Sequence, residues 1–148
     1  LGCAPHGNRH SSKELIAAYK PDLLLGFDPL AKPRTGFLDG SFVIVSDSAA
    51  STFCGWIAFH EDGIESQTSF GEDAVRCFDL AALLRSLPGE VLLKMDVEGA
   101  EYPLLQHLIN AGVWPDRILV EWHEQFYGTP EKERLLAAIP CEVEEWWM

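Results

Sequence analysis

The stretch KMDVEGAEYPLL, residues 94–105, carries three carboxylates, Asp96, Glu98 and Glu101, around Gly99. It follows the apolar run VLL, so the acids fall where a buried strand turns into a helix. Asp96 and Glu98 are two residues apart and share one side of an extended chain. Carboxylates in that position can orient a hydroxyl group or take its proton. Glu101 has a plainer account: an acid in the first turn of a helix gains about 0.3–1 kcal/mol from the helix dipole. Glu98 can serve either the turn or a pocket. Asp96 follows VLLKM inside a strand, where a buried carboxylate is costly unless partnered. It is therefore read as functional, with Lys94 as its charge partner. A second group lies in ILVEWHE, residues 118–124. His123 changes charge near neutral pH and can act as a general base, and Glu121 shares its side of the strand.

Other polar residues fall at comparable places. The segment GCAPHGN, residues 2–8, has glycines at Gly2 and Gly7 that let backbone amides, with those around Ala4, approach an anionic group. Asp28 ends the apolar run LLLGF about 20 residues beyond that loop, the position from which an acid accepts hydrogen bonds from a ribose. Ser46 and Asp47 follow FVIV in the same way, and Asp47 can face an adenine ring or simply turn the chain. Asp79 is read as a helix cap.

The elements that must hold these residues follow from periodicity and punctuation. A helix is expected from about Ser11, with Asn8 as an alternative cap, to Lys20. Strands are expected over 23–27, 42–45, 75–78, 91–97, 117–122 and 141–147, with a loop over 30–40 and a hairpin turning at Asp62-Gly63. Helices are expected over 80–87, from just after the Gly99 turn (with Pro103 in the first turn) to Gly112, and over 129–139. Strands alternating with helices imply an α/β fold with a Rossmann-like doubly wound, mostly parallel sheet and helices on both faces. Ligands of such sheets bind at the carboxyl ends of the strands, and each strand expected to be parallel delivers a polar residue to that rim. The first strand is expected to be truncated, with Leu1 its last residue or the strand lacking altogether.

The 148 residues are read as one domain, 1–148, lacking the N-terminal strand and part of a C-terminal strand pair. A hydrophobic share of 47% with 23% charged residues is ordinary for a globular chain. The net charge of −12 disfavours nucleic acid as a partner, and no apolar run reaches membrane-spanning length. Cys3, Cys54, Cys77 and Cys141 form no C-x-x-C pair, which argues against a zinc site and suggests reduced, mostly buried thiols in a cytoplasmic protein. A small-molecule substrate is expected, and the oligomeric state is open.

The run LLKMDVEGAEYPLLQHL resembles the signature of the FkbM-type methyltransferases, whose pattern is similar to K-[IM]-D-V-E-G-A-E followed by an apolar helix. GFDP resembles their F-E-P motif, FVIVSDSAAS their A-x-S-D region, VRCFDLAALL their V-x-T-L-D-D-L segment and ILVEWHE their I-x-E-x-H strand. The glycine segment departs from their D-x-G-A-N-x-G motif by the residues between its glycines. The resemblance implies a class I, S-adenosylmethionine-dependent transferase that methylates a hydroxyl of a small molecule or sugar. It implies cofactor binding by Gly2, Ala4, Gly7, Asp28, Ser46 and Asp47, and catalysis by Asp96, Glu98 and His123. Metal is not required by this reading, although Asp96, Glu121 and Glu124 are hard oxygen ligands that can gather around Mg²⁺. The alternative is a catalytically degenerate nucleotide-binding or interaction module.

Overall fold

The computed structural model describes residues 9–58 and 74–146, with side chains described from residue 12 and not at residue 58. The chain forms α1 (Arg9–Tyr19), β1 (Leu23–Phe27), β2 (Arg34–Leu38), β3 (Ser41–Ser46), β4 (Ala49–Ser51), β5 (Gly55–Ala58) and β6 (Ala74–Asp79). There follow α2 (Leu80–Ser86), β7 (Leu92–Met95), α3 (Glu101–Ala111), β8 (Arg117–Val120), α4 (Glu124–Tyr127), α5 (Thr129–Ala138) and β9 (Glu142–Glu145).

The expected single doubly wound sheet is not what forms. The described strands make three small sheets, ordered β1-β3-β2, β4-β6-β5 and β7-β8-β9. Only the third is wholly parallel; β2 runs antiparallel to β3, and β5 antiparallel to β6. The physical reason is clearest at β2. Residues 30–40, read as a loop, contain Asp39-Gly40, and both residues adopt positive φ, +49° and +93°. Two consecutive left-handed residues of the Asp-Gly type make a tight hairpin turn, which folds Arg34–Leu38 back along β3. β4 was also hidden, in the small-residue run after Ser46. β5 is three residues beyond β4, too short a connection for a parallel crossover; the two flank β6 from opposite sides. The expected Asp62-Gly63 hairpin, Cys3 and the start of the chain lie outside the described residues.

Several local readings are met. Asp79 caps α2, its Oδ1 accepting from Ala82 N at 3.1 Å. Gly112 ends α3 in the left-handed conformation, φ +62°, a residue type that closes a helix there without a Cβ penalty. Pro103 falls in the first turn of α3, where no amide partner is lost. α1 is already helical at Arg9, ahead of Ser11. The last strand is shorter than expected and runs parallel to β8.

The main core lies around the third sheet. Leu93 and Met95 of β7 and Ile118 and Val120 of β8 meet Leu80 and Leu84 of α2, Leu105 and Leu108 of α3, and Leu135 of α5. Their burial is what fixes the carboxyl ends of β7 and β8 side by side, with Glu121 N donating to Met95 O at 3.0 Å just beyond the paired residues. Smaller clusters hold the first sheet, through Ile16, Val43 and Val45, and the second, through Ala49, Ile57 and Cys77. Phe27 and Phe78 bring those two sheets into contact, with ring centroids 4.3 Å apart. No described helix is long and apolar enough to cross a membrane.

Candidate functional site

β7 ends at Met95, and the chain passes through 96–100 into α3. Two residues of this turn hold left-handed backbone: Glu98 at φ +49° and Gly99 at φ +95°. At Gly99 a Cβ would stand 2.6 Å from Cδ2 of Phe126, so any other residue there would have to displace that ring as well as adopt a left-handed φ. Glu98 has no such licence, since a left-handed non-glycine residue costs about 1–2 kcal/mol. The conformation swings its side chain toward the end of β8, where its Oε2 reaches Nε2 of His123 at 3.2 Å.

Glu101 organises this turn. It is fully buried, and its two oxygens accept from three donors. Oε1 takes Val97 N and His123 Nδ1, each at 2.9 Å, and Oε2 takes Gly99 N at 2.9 Å. The carboxylate thus pins the loop on both sides of Glu98 and fixes the imidazole. The expectation that Glu101 merely complements the helix dipole is corrected. The missed signal is positional: Glu101, Leu105 and Leu108 stand at i, i+4 and i+7 on the buried face of α3, so Glu101 faces the interior.

Asp96, Glu98 and His123 each offer one ligand-type atom, and these atoms all lie within 4.8 Å of one another. The three residues expected to be catalytic therefore converge. Asp96, expected inside a strand over 91–97, lies just beyond the end of β7; it is mostly buried and pairs with Lys94 Nζ through Oδ2 at 3.5 Å. His123 is largely buried, whereas the Glu98 side chain is 69% exposed and marks the solvent side of the group. Glu121 borders it: burial, then the negative charge of Asp96, pushes its carboxyl above the ordinary range, against the opposing influence of His123 and Lys94. Glu124 does not belong to the group. Its carboxylate is taken by Thr129 Oγ1 at 2.7 Å and Lys132 Nζ at 2.9 Å. The Asp96–Glu121–Glu124 arrangement is thereby replaced by Asp96, Glu98 and His123.

The residues expected to hold a cofactor stand on the first sheet. Asp28 and Ser46 adjoin at the ends of β1 and β3, Asp28 N donating to Ser46 O at 3.0 Å. Asp28 is buried, and its Oδ1 accepts from Leu30 N at 2.8 Å, a local turn of the type aspartate makes with its own backbone. Ser46 Oγ is 2.9 Å from Ser48 Oγ, and Asp47 is exposed. Gly2, Ala4 and Gly7 lie outside the described residues. The structure thus gathers the expected residues into two groups on different sheets, one at β1/β3 and one at β7/β8. An open cleft of about 400 Å³ beside α1, lined by Lys20, Asp22, Asp39 and Ser41 among others, contains neither group.

The thiols also differ from expectation. Cys54, Cys77 and Cys141 are free, but only Cys77 is buried and Cys54 is exposed. No family of known proteins, no curated protein and no solved structure matches the chain.

Proposed function

We propose that this chain transfers a methyl group from S-adenosylmethionine to a hydroxyl of a small molecule or sugar in the cytoplasm. The observation that carries the proposal is the convergence of Asp96, Glu98 and His123, all within or beside the K-M-D-V-E-G-A-E segment that resembles the FkbM-type signature. The reading rests on that segment and that geometry, and not on the sheet architecture. In-line displacement at a sulfonium methyl needs little covalent chemistry from the protein. The hydroxyl oxygen must be held close and in line with the methyl, and its proton must have somewhere to go. His123 has the form of a base for that proton. Glu101 holds Nδ1 and leaves Nε2 directed toward Glu98 and the solvent-facing side. Asp96 is placed to orient the hydroxyl, and the nearby carboxylates favour a cationic sulfonium electrostatically. Asp28, Ser46 and Asp47 would take the nucleoside part of the cofactor.

Calorimetric titration with S-adenosylmethionine and S-adenosylhomocysteine tests the reading. Binding of both, lost in Asp28→Ala with the fold intact, is expected. No binding of either by folded protein would sink it. Binding without turnover on a panel of hydroxylated acceptors would favour a degenerate nucleotide-binding module instead.

A further inference from the structure

Resting on the methyl-transfer reading, we infer that Phe126 selects the acceptor: its open ring surface receives the apolar face of an uncharged, pyranose-type ring that carries the reacting hydroxyl.

α4 carries two half-exposed aromatic side chains, Phe126 at 53% and Tyr127 at 51%, and they are not equivalent. Tyr127 stacks on the buried Tyr102 with ring centroids 4.5 Å apart, so it anchors α4 to α3. The short helix is held further by Gly128 N donating to Glu124 O at 2.7 Å, and by the bonds of the Glu124 carboxylate to Thr129 and Lys132. Phe126 stands outside the main core. Its N donates to His123 O at 3.1 Å, and its ring centroid is 6.4 Å from that of the imidazole. One edge of the ring, Cγ, Cδ2 and Cε2, fills the space that a Cβ on Gly99 would take. Phe126 is thus set against the turn that carries Glu98 and beside His123. Leaving half of a phenylalanine in water forgoes the stabilisation that burial would give. Tyr127 offsets that loss by stacking on Tyr102, while the open part of Phe126 borders Asp96, Glu98 and His123.

An aromatic surface beside a few placed polar groups is the usual make-up of a small-molecule site. Here the polar groups are hydroxyl acceptors. Oxygens of Asp96 and Glu98 lie within 4.8 Å of each other, so they can take the protons of two adjacent hydroxyls on one ring. The C–H bonds on the apolar face of such a ring carry slight positive charge, which the negative face of a phenyl ring attracts. Charge narrows the class further. Asp96, Glu98, Glu101 and Glu121 are acids, while Lys94 pairs with Asp96, and Lys132 pairs with Glu124 and Glu145. The negative charge of Asp96 already helps to push the Glu121 carboxyl above its ordinary range. A carboxylate or phosphate on the acceptor would meet the same repulsion, and an uncharged sugar would not.

The test reads binding separately from turnover. Methyl β-glucopyranoside, methyl β-glucuronide and glycerol are titrated into the full chain, with and without S-adenosylhomocysteine, and the ring resonances of Phe126 and His123 are followed by NMR. The uncharged pyranoside is expected to shift both rings and to bind more tightly than the charged glucuronide or the open-chain glycerol. Phe126→Leu keeps an apolar side chain over Gly99 but removes the ring, and is expected to weaken pyranoside binding by about tenfold, the size of one aromatic contact. Phe126→Tyr is expected to retain it. In turnover, Phe126→Leu should raise KM for the pyranoside with kcat and cofactor affinity unchanged. Glucuronide binding as tight as the pyranoside, or no pyranoside binding by protein that does bind S-adenosylhomocysteine, would overturn the inference and leave methyl transfer standing. Pyranoside binding at Phe126 by protein that takes no cofactor would overturn methyl transfer and leave the sugar platform standing. If Phe126→Leu lowered the urea midpoint but left pyranoside affinity unchanged, the ring would be only a wedge over Gly99, and the inference would fall.

Discussion

Replacing Glu101 by glutamine tests the organisation of the site most sharply. The side chain is fully buried and its oxygens are committed separately: Oε1 to Val97 N and His123 Nδ1, Oε2 to Gly99 N. Glutamine keeps the shape but has only one oxygen. Whichever way the amide is turned, its NH₂ faces a backbone N–H, at Val97 or at Gly99. A buried donor left unsatisfied costs about 1–3 kcal/mol, and hydrogen bonds to a charged acceptor contribute about 1.5–3 kcal/mol each. The expected loss is therefore about 2–4 kcal/mol. In a chain of 148 residues that corresponds to a fall in Tm of roughly 4–16 °C. Urea unfolding, with the midpoint falling at constant m, measures it. Glu98→Gln is the control: this side chain is 69% exposed, and its loss should cost less than about 1 kcal/mol. If Glu101→Gln unfolded within about 0.5 kcal/mol of the parent, the carboxylate would not hold the turn.

Three further outcomes follow from neighbouring features. Gly99→Ala should destabilise by about 1–3 kcal/mol, since it meets both a left-handed φ and the Phe126 ring; adding Phe126→Ala should recover the steric part and leave the backbone part, read from urea midpoints. Gly40→Val should destabilise the β2–β3 hairpin by about 1–2 kcal/mol, because φ there is +93° with no steric obstruction nearby. Asp79 accepts from His107 Nε2 at 2.8 Å, and that bond, ahead of its cap to Ala82, holds its carboxyl below the ordinary range. The unfolded chain then binds the proton first, so the stabilisation is fully present above about pH 4 and is lost as pH falls through the lowered folded value. The stability difference between the parent and Asp79→Ala should accordingly shrink on acidification below pH 4.

What the sequence made legible was governed by local chemistry. The cap at Asp79, the stop at Gly112 and the presence of strands β1, β3 and β8 follow from residue type and short-range pattern, although β1, expected to be buried on both faces, is only partly buried and leaves Leu23 exposed. The convergence of Asp96 with His123 was legible too, because both follow apolar strands and β7 pairs directly with β8. The sheet architecture was not, since it depends on which strands pair at a distance. One Asp-Gly turn, at Asp39-Gly40, was enough to convert an expected loop into an antiparallel strand. Glu101 was missed for a related reason: a first-turn acid has a sufficient local explanation, and only its place on the Leu105–Leu108 stripe betrays burial.

The central claim is that Asp96, Glu98 and His123 act as one chemical centre. Its most direct measurement is the release of S-adenosylhomocysteine in the presence of hydroxylated acceptors, by the parent and by Asp96→Asn, with cofactor binding and unfolding followed in parallel. The account predicts a fall in turnover of about 10²–10⁴-fold, the usual range for a lost acid–base or orienting group, with cofactor binding and fold retained. An unchanged rate in Asp96→Asn would contradict it and reduce Asp96 to a structural partner of Lys94.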